Sequence, residues 1–213
     1  MRRFEIITEA DARRLEPGTT VELAPGGHIT PLARDTLRER RVAVVTAGTG
    51  EAPPLAPAAE IRRVAVGTDH TGVALKRALV AWLRSRALTV EDVGTDGPEP
   101  VDYPDTAGRV AAAVACGEAE AGIAIDGAGL GSAIAANKVR GVRAAMATDA
   151  RLARYAREHN GANVLALGAL LVDVETAKAI VEAFLSTPMR EPRYIRRLAK
   201  IRRLEEAPPE AWR

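Results

Sequence analysis

The chain has 213 residues, 47% hydrophobic, with 30 Lys and Arg against 28 Asp and Glu, which is enough apolar material for one main domain with an appendage. The net charge of +2 is spread along the chain and aromatic residues make up 3%, which excludes a general nucleic-acid surface and a base-stacking platform. No apolar run reaches the roughly 18 to 20 residues that span a bilayer, and one cysteine, Cys116, excludes an intramolecular disulfide or a Cys-based metal site.

The opening MRRFEIITEADARR carries acids early and has no apolar core, so it does not read as a secretory signal, and a cytoplasmic protein is expected. Residues 1–45 read as a small α+β appendage: TTVEL suggests a strand, Pro25-Gly26-Gly27 a turn, Pro31 the start of a short helix, and RVAVV a second strand. So small a unit buries little alone. Residues 46–60, rich in Gly, Pro and Ala without hydrophobic period, read as a linker.

From Ile61 short apolar runs alternate with amphipathic stretches of 10 to 15 residues, the pattern of consecutive βα units on a parallel sheet. Strands are predicted at 63–68, 88–94, 121–126, 143–148 and 163–168. Helices are predicted at 73–86, 105–116, 131–138, 150–158 and 174–186, then a basic helix from about 193 to 204 and a tail over 205–213. The apolar strands imply a sheet covered on both faces, hence an α/β, doubly wound (Rossmann-like), five-stranded domain over 61–204.

In such sheets ligands bind beyond the carboxyl ends of the strands. Those ends bring forward Asp69 and His70, the loop holding Tyr103, and Asp126 with Gly127, Gly129 and Gly131; His159 and Asn160 close the fourth unit's helix. The Asp126–Ser132 turn lets backbone N–H groups approach an anion. Ser132 stands where the dinucleotide fingerprint needs Gly or Ala, and the Lys of a P-loop is missing, so nucleotide binding is disfavoured. His28, His70 and His159 are far apart in sequence, and no metal site is expected.

GTDHTGVALK (67–76), DYPD (102–105), DGAGLGSAIAANKVRGVRAA (126–145), REHNGANVLALG (157–168) and PRYIRRLAKI (192–201) resemble, in order and spacing, the motifs of the type B ribose 5-phosphate isomerases and galactose 6-phosphate isomerase subunits. The resemblance implies aldose–ketose isomerisation of a phosphorylated sugar through an enediolate. It also implies no cofactor, and a homodimer or homotetramer with sites at the subunit interface. By the same resemblance the Gly127–Gly131 turn supplies N–H donors to the enediolate, His159 assists ring opening and Asn160 stands beside it. Asp69 and His70 then contact sugar hydroxyls and phosphate and Tyr103 is a site tyrosine, while Arg193 and Arg197, four apart on one helix face, clamp the phosphate.

Two departures matter. Asp126 stands where a cysteine base is common, and Ala128 where Thr or Ser is common. A carboxylate can remove a proton beside a carbonyl, as the Glu base of triosephosphate isomerase does. Asp126 is therefore read as the base or a direct ligand, or else as a structural cap on the turn. Cys116, near a helix end, reads as structural. The rival readings are a non-catalytic sugar-phosphate-binding subunit or sensor needing a partner subunit, and a nucleotide-binding module. Residues 1–45 faintly resemble the opening of microcompartment-associated ethanolamine-utilisation proteins, which implies a segment for a microcompartment shell or partner protein; a plain oligomerisation arm is the alternative.

Overall fold

A computed structural model describes residues 3–46, 55–58, 60–189 and 191–207. These fall into two compact units, Met1–Ala52 and Pro53–Arg213.

The first unit runs β1 (Arg3–Ile7), α1 (Glu9–Arg14), β2 (Thr20–Ile29), α2 (Pro31–Glu39) and β3 (Ala43–Thr46). Its three strands lie in the order β1-β2-β3, all parallel. Thr8 and Asp11 cap α1 reciprocally, each side chain accepting the other's backbone N–H, and Thr30 caps α2 with Pro31 behind it. Ile7, Ala12, Leu15, Val21, Leu23, Ala33, Leu37 and Val42 form a core of its own.

Two expectations are corrected here. The sequence showed two strands and one helix, but β1 and α1 precede them. Pro25-Gly26-Gly27 is no reversing turn: it lies within β2, where the register jumps from Phe4 opposite Leu23 to Ile6 opposite His28. Prolines and glycines are tolerated in a strand at such bulges. Of the 46–60 linker, residues 47–54 and 59 lie outside the described residues.

The second unit runs β4 (Arg63–Thr68), α3 (Val73–Ser85), β5 (Thr89–Asp92), α4 (Tyr103–Ala115), β6 (Ala121–Asp126) and α5 (Leu130–Ala136). It continues with β7 (Ala144–Met146), α6 (Ala150–Asn160), β8 (Val164–Gly168), α7 (Val174–Ser186) and α8 (Pro192–Glu206). The sheet order is β5-β4-β6-β8-β7, parallel throughout. All five predicted strands are present, and the α/β class stands. The helix before the tail is longer than its sequence pattern: Glu205 accepts the Gly141 N–H and Glu206 pairs with Arg140, holding the last turn of α8 on the domain.

Alternation along the strands decides which helices cover which face. Val64, Val66, Ile123, Ile125, Leu165 and Leu167 meet α3, α6 and α7. Ala65, Ala124 and Val164 meet the Ala- and Val-rich side of α4 and Ala136 of α5. Gly67 and Gly122 let α4 come close, since a Cβ on either would lie 2.7 or 2.6 Å from a Val110 methyl.

Lys76 on α3 is fully buried and donates to Asp92 and Asp96, 2.7 Å each, tying α3 to the segment leaving β5. The hydrogen bond and charge of Lys76 hold the Asp96 carboxyl below its ordinary range. A depressed carboxyl contributes stability above its ordinary pKa and loses it as pH falls through the folded value. Lys76→Met is therefore expected to lower the thermal midpoint at pH 7 and to shrink the difference between pH 7 and pH 3. Thermal unfolding of both proteins at the two pH values measures this.

Candidate active site

Parallel pairing sets β4 and β6 side by side, and the backbone N–H of Asp69 donates to Ile125 O, so Asp69 and Asp126 leave adjacent strand ends. Asp69 caps the short 3-10 turn His70–Gly72. Its Oδ1 accepts the Thr71 N–H at 2.9 Å and the Thr71 hydroxyl at 2.5 Å. His70 is fastened at Nδ1, which lies 3.2 Å from the Val101 N–H and 3.4 Å from Val101 O. That leaves Nε2 as the ring nitrogen for a ligand.

Asp126 is buried at the end of β6, and its carboxylate organises the following turn. Oδ1 accepts the N–H groups of Ala128, at 2.8 Å, and Gly129, while Oδ2 accepts the Ser132 N–H at 2.7 Å. Three of the turn's donors thus point at Asp126. Gly129 is left-handed at φ 78°, and a Cβ there would lie 2.9 Å from Gly168 N. The N–H groups of Leu130 and Gly131, in the first turn of α5, have no carbonyl to bond within the helix.

Tyr103 is corrected from loop to helix: it opens α4, with Pro104 in the first turn. Its ring lies 2.7 Å from where a Gly131 Cβ would stand, so glycine at 131 lets the ring reach the turn. Thr71 Oγ1 is 3.7 Å from the corresponding point at Gly127. Asp69, His70, Tyr103, Asp126 and the glycine turn are therefore gathered at one edge of the sheet.

His159, Asn160, Arg193 and Arg197 are not gathered there. The sequence reading grouped His159 and Asn160 with the strand ends, but α6 runs back across the sheet and delivers them before the start of β8. Val164 pairs at Gly122 and Gly168 at Asp126. The helix end thus sits about 13 Å of strand away from the glycine turn. There His159 stacks on Tyr155 at 4.9 Å between ring centroids and meets Tyr194 at 4.8 Å. The Arg193 and Arg197 guanidiniums lie 4.9 and 5.6 Å from the Tyr194 ring centre, and Arg193 donates to the Tyr194 hydroxyl at 3.1 Å. The two arginines do share one face, beside His159. Asn160 lines a cavity of about 350 Å³ with Asn137, Arg143 and Glu205.

Tyr155 and Tyr194 were missed in the sequence, although the spacing of four between Tyr155 and His159 puts them on one helix face. Leu170 was also missed: its N–H donates to Gly127 O, and its side chain, 79% exposed, stands beside the turn. Cys116 caps the far end of α4, about 20 Å along the helix from Tyr103. Among the described residues no helix is long and apolar enough to cross a membrane.

The family described as Ribose/Galactose Isomerase matches residues 64–201. Ribose-5-phosphate isomerase B of Escherichia coli (strain K12) is 43% identical over 132 residues, 62% of this chain and 89% of that protein. Galactose-6-phosphate isomerase subunit LacB of Clostridium acetobutylicum is 38% identical over 111 residues, 52% of this chain and 64% of that one. The solved ribose-5-phosphate isomerase B of Clostridium thermocellum matches with a TM-score of 0.67 and 46% identity, over 68% of this chain and 97% of its own. The fold and these matches agree: the chain belongs to the ribose/galactose isomerase family and is an aldose–ketose isomerase of phosphorylated sugars.

Proposed function

We propose that the chain interconverts ribose 5-phosphate and ribulose 5-phosphate, or a close aldose–ketose phosphate pair, at a site built from two copies. The observation that carries this is the separation of the two halves. One sheet edge holds Asp69, His70, Tyr103, Asp126 and the Gly127–Gly131 turn; the opposite edge holds His159, Asn160, Arg193 and Arg197. Packing of a two-fold dimer that sets one copy's glycine turn against the other copy's His159 makes the constellation whole.

In that arrangement Arg193 and Arg197 bind the phosphate, and His159 moves a proton to the ring oxygen as the sugar opens. Asp69 and His70 hold sugar hydroxyls and Tyr103 closes the turn side. Asp126 has two tasks. Oδ1 accepts two N–H groups and is filled, whereas Oδ2 accepts only Ser132, leaving a lone pair to take the proton beside the carbonyl. The first-turn N–H groups of Leu130 and Gly131 face the charge that develops on the enediolate oxygen.

The test is complementation. His70→Ala and His159→Ala proteins are each expected to lose about 10²-fold in turnover of ribose 5-phosphate. Unfolded together and refolded as a mixture, they should regain about one quarter of wild-type activity, because half the dimers are mixed and each mixed dimer has one intact site. A mixture no better than its parts places the whole site within one copy and ends this reading.

A further inference from the structure

Arg157 takes no part in the proposed chemistry, yet among the described residues it is the largest fully buried side chain, 1% exposed. Burial, and then the neighbouring charge of Arg143, push its pKa down to about 10. No carboxylate pairs with it among the described residues. Its guanidinium lies 5.1 Å from the centre of the Phe184 ring, and the hydrogen bonds it makes go to backbone carbonyls alone. Nη1 donates to Ala162 O at 2.8 Å and Nη2 to Ala58 O at 3.0 Å, while Nε has no partner among the described residues. Leaving a cation this deep with two carbonyl partners is costly, so each of those bonds matters more than a surface bond.

The two carbonyls belong to distant parts of the chain. Ala162 lies just past the left-handed cap Gly161, which ends α6 directly after its last residues His159 and Asn160. Gly161 O is itself held by Arg143 Nε at 2.7 Å, and Leu198 of α8 crowds Gly161 from the other side. Ala58 belongs to the stretch that leads in from the amino-terminal unit, ahead of the family match, which begins at residue 64. Residues 55–58 are each partly buried. A segment foreign to the family's usual extent thus completes the hydrogen bonding of a cation beneath the His159 turn.

We infer that Arg157 is a positioning residue that clasps residues 55–58 to the turn bearing His159 and Asn160, so that the incoming segment is part of the isomerase site's support. The inference rests on the assignment of His159 to ring opening. It makes docking of the stretch and turnover vary together: releasing Ala58 removes one of the two anchors of Arg157, and the turn at Gly161–Ala162 loosens with it. Because a misplacement of about 1 Å can cost about 10²-fold in rate, a partial loosening is expected to cost about tenfold.

The experiment uses the full-length protein and two routes to the same release. Arg157→Met removes the donor; replacement of residues 55–58 by Gly-Ser-Gly-Ser weakens docking from the other side without touching the buried core. Both variants are expected to lower kcat for ribose 5-phosphate about tenfold with KM within about twofold, and to speed protease cleavage within residues 46–60 about tenfold. Arg157→Lys, which keeps the charge but reaches one carbonyl, should fall between Met and wild type in both readouts. Cleavage that speeds up while kcat holds in the Gly-Ser protein overturns the coupling. So does a loss of kcat in Arg157→Met with cleavage unchanged. His159→Ala run alongside separates the two claims: if it leaves kcat intact, the assignment of His159 fails, whatever the clasp variants show.

Discussion

Asp126→Asn is expected to lower kcat about 10³-fold, to raise KM for the sugar phosphate, and to lower the stability of the domain by about 3 kcal/mol. Asparagine is nearly the same size, so the effect is one of chemistry. The carboxylate accepts three backbone N–H groups, from Ala128 and Gly129 on one oxygen and from Ser132 on the other. An amide offers one oxygen, and whichever way it turns, its NH₂ faces an N–H. At least one buried donor is then unsatisfied at a cost of about 1 to 3 kcal/mol, and the negative charge near the start of α5 is lost as well.

The two tasks assigned to Asp126 separate in the kinetics. Loss of the proton acceptor alone lowers kcat at unchanged KM, while distortion of the turn weakens substrate binding too. Purified Asp126→Asn should show both, with turnover of ribose 5-phosphate and thermal unfolding read on the same preparation. A variant that keeps wild-type kcat removes Asp126 from the chemistry.

Gly129→Ala is expected to lower stability by about 3 kcal/mol, which for a chain of this size lowers the thermal midpoint by roughly 10 °C. Two costs combine. A left-handed backbone penalises any Cβ by about 1 to 2 kcal/mol, and Gly129 has φ 78°. The new methyl would also stand 2.9 Å from Gly168 N and Leu167 C, atoms of a central strand that cannot swing aside. Gly168 is pressed in the same way from the other side, since its own Cβ would lie 2.7 Å from the Ala128 carbonyl. The turns after β6 and β8 interlock backbone to backbone. Turnover should fall with stability, because the Gly129 N–H is one of the donors that hold Asp126.

Gly108→Ala is the control. It lies inside α4 and a Cβ there meets nothing within 4 Å, so the change should be neutral or stabilise by about 0.5 to 1 kcal/mol. Thermal unfolding of the three proteins side by side gives the comparison. Equal midpoints for Gly129→Ala and wild type would mean that the turn is not packed as described.

How much of this was legible in the sequence differs by element. The five strands of the second unit were readable because each is a nearly unbroken apolar run bounded by polar punctuation. In the first unit, RFEII mixes charge into its strand, and the six-residue α1 is too short to show a period, so both escaped notice. Pro25-Gly26-Gly27 misled for a physical reason. Local chemistry favours a turn there, but β1 goes on pairing beyond it, and the strand resumes in its original direction.

The site divides in the same way. The chain order of motifs carried the candidate residues: an Asp and a His after one strand, an Asp with glycines after another, a His-Asn pair, and two arginines four apart. Local spacing also carried the capping role of Asp126 as an alternative, and the hydrogen bonds show that role in place. Asn137, at the end of α5, bonds Ala133 O and both backbone groups of Ala144. Placement was another matter. His159 and Asp126 look like parts of one cluster in the sequence, yet a helix antiparallel to the strands carries His159 to the opposite edge.

By itself the sequence determined the class of fold, the family, and the candidate residues for the site, because apolar period, turn residues and motif spacing are local and repeat in order. Only the tertiary structure decided that the candidate site residues are split across the sheet, that Asp126 holds its turn through three backbone N–H groups, and that Arg157 is buried. Arg157 reads as one more basic residue on a polar helix, and nothing local marks it. Its burial arises from α7 packing over it with Phe184, and from carbonyls contributed by residues 5 and 99 positions away in the chain. Strand direction, helix polarity and long-range carbonyl partners exist only once distant segments have packed, and they assigned these residues their places.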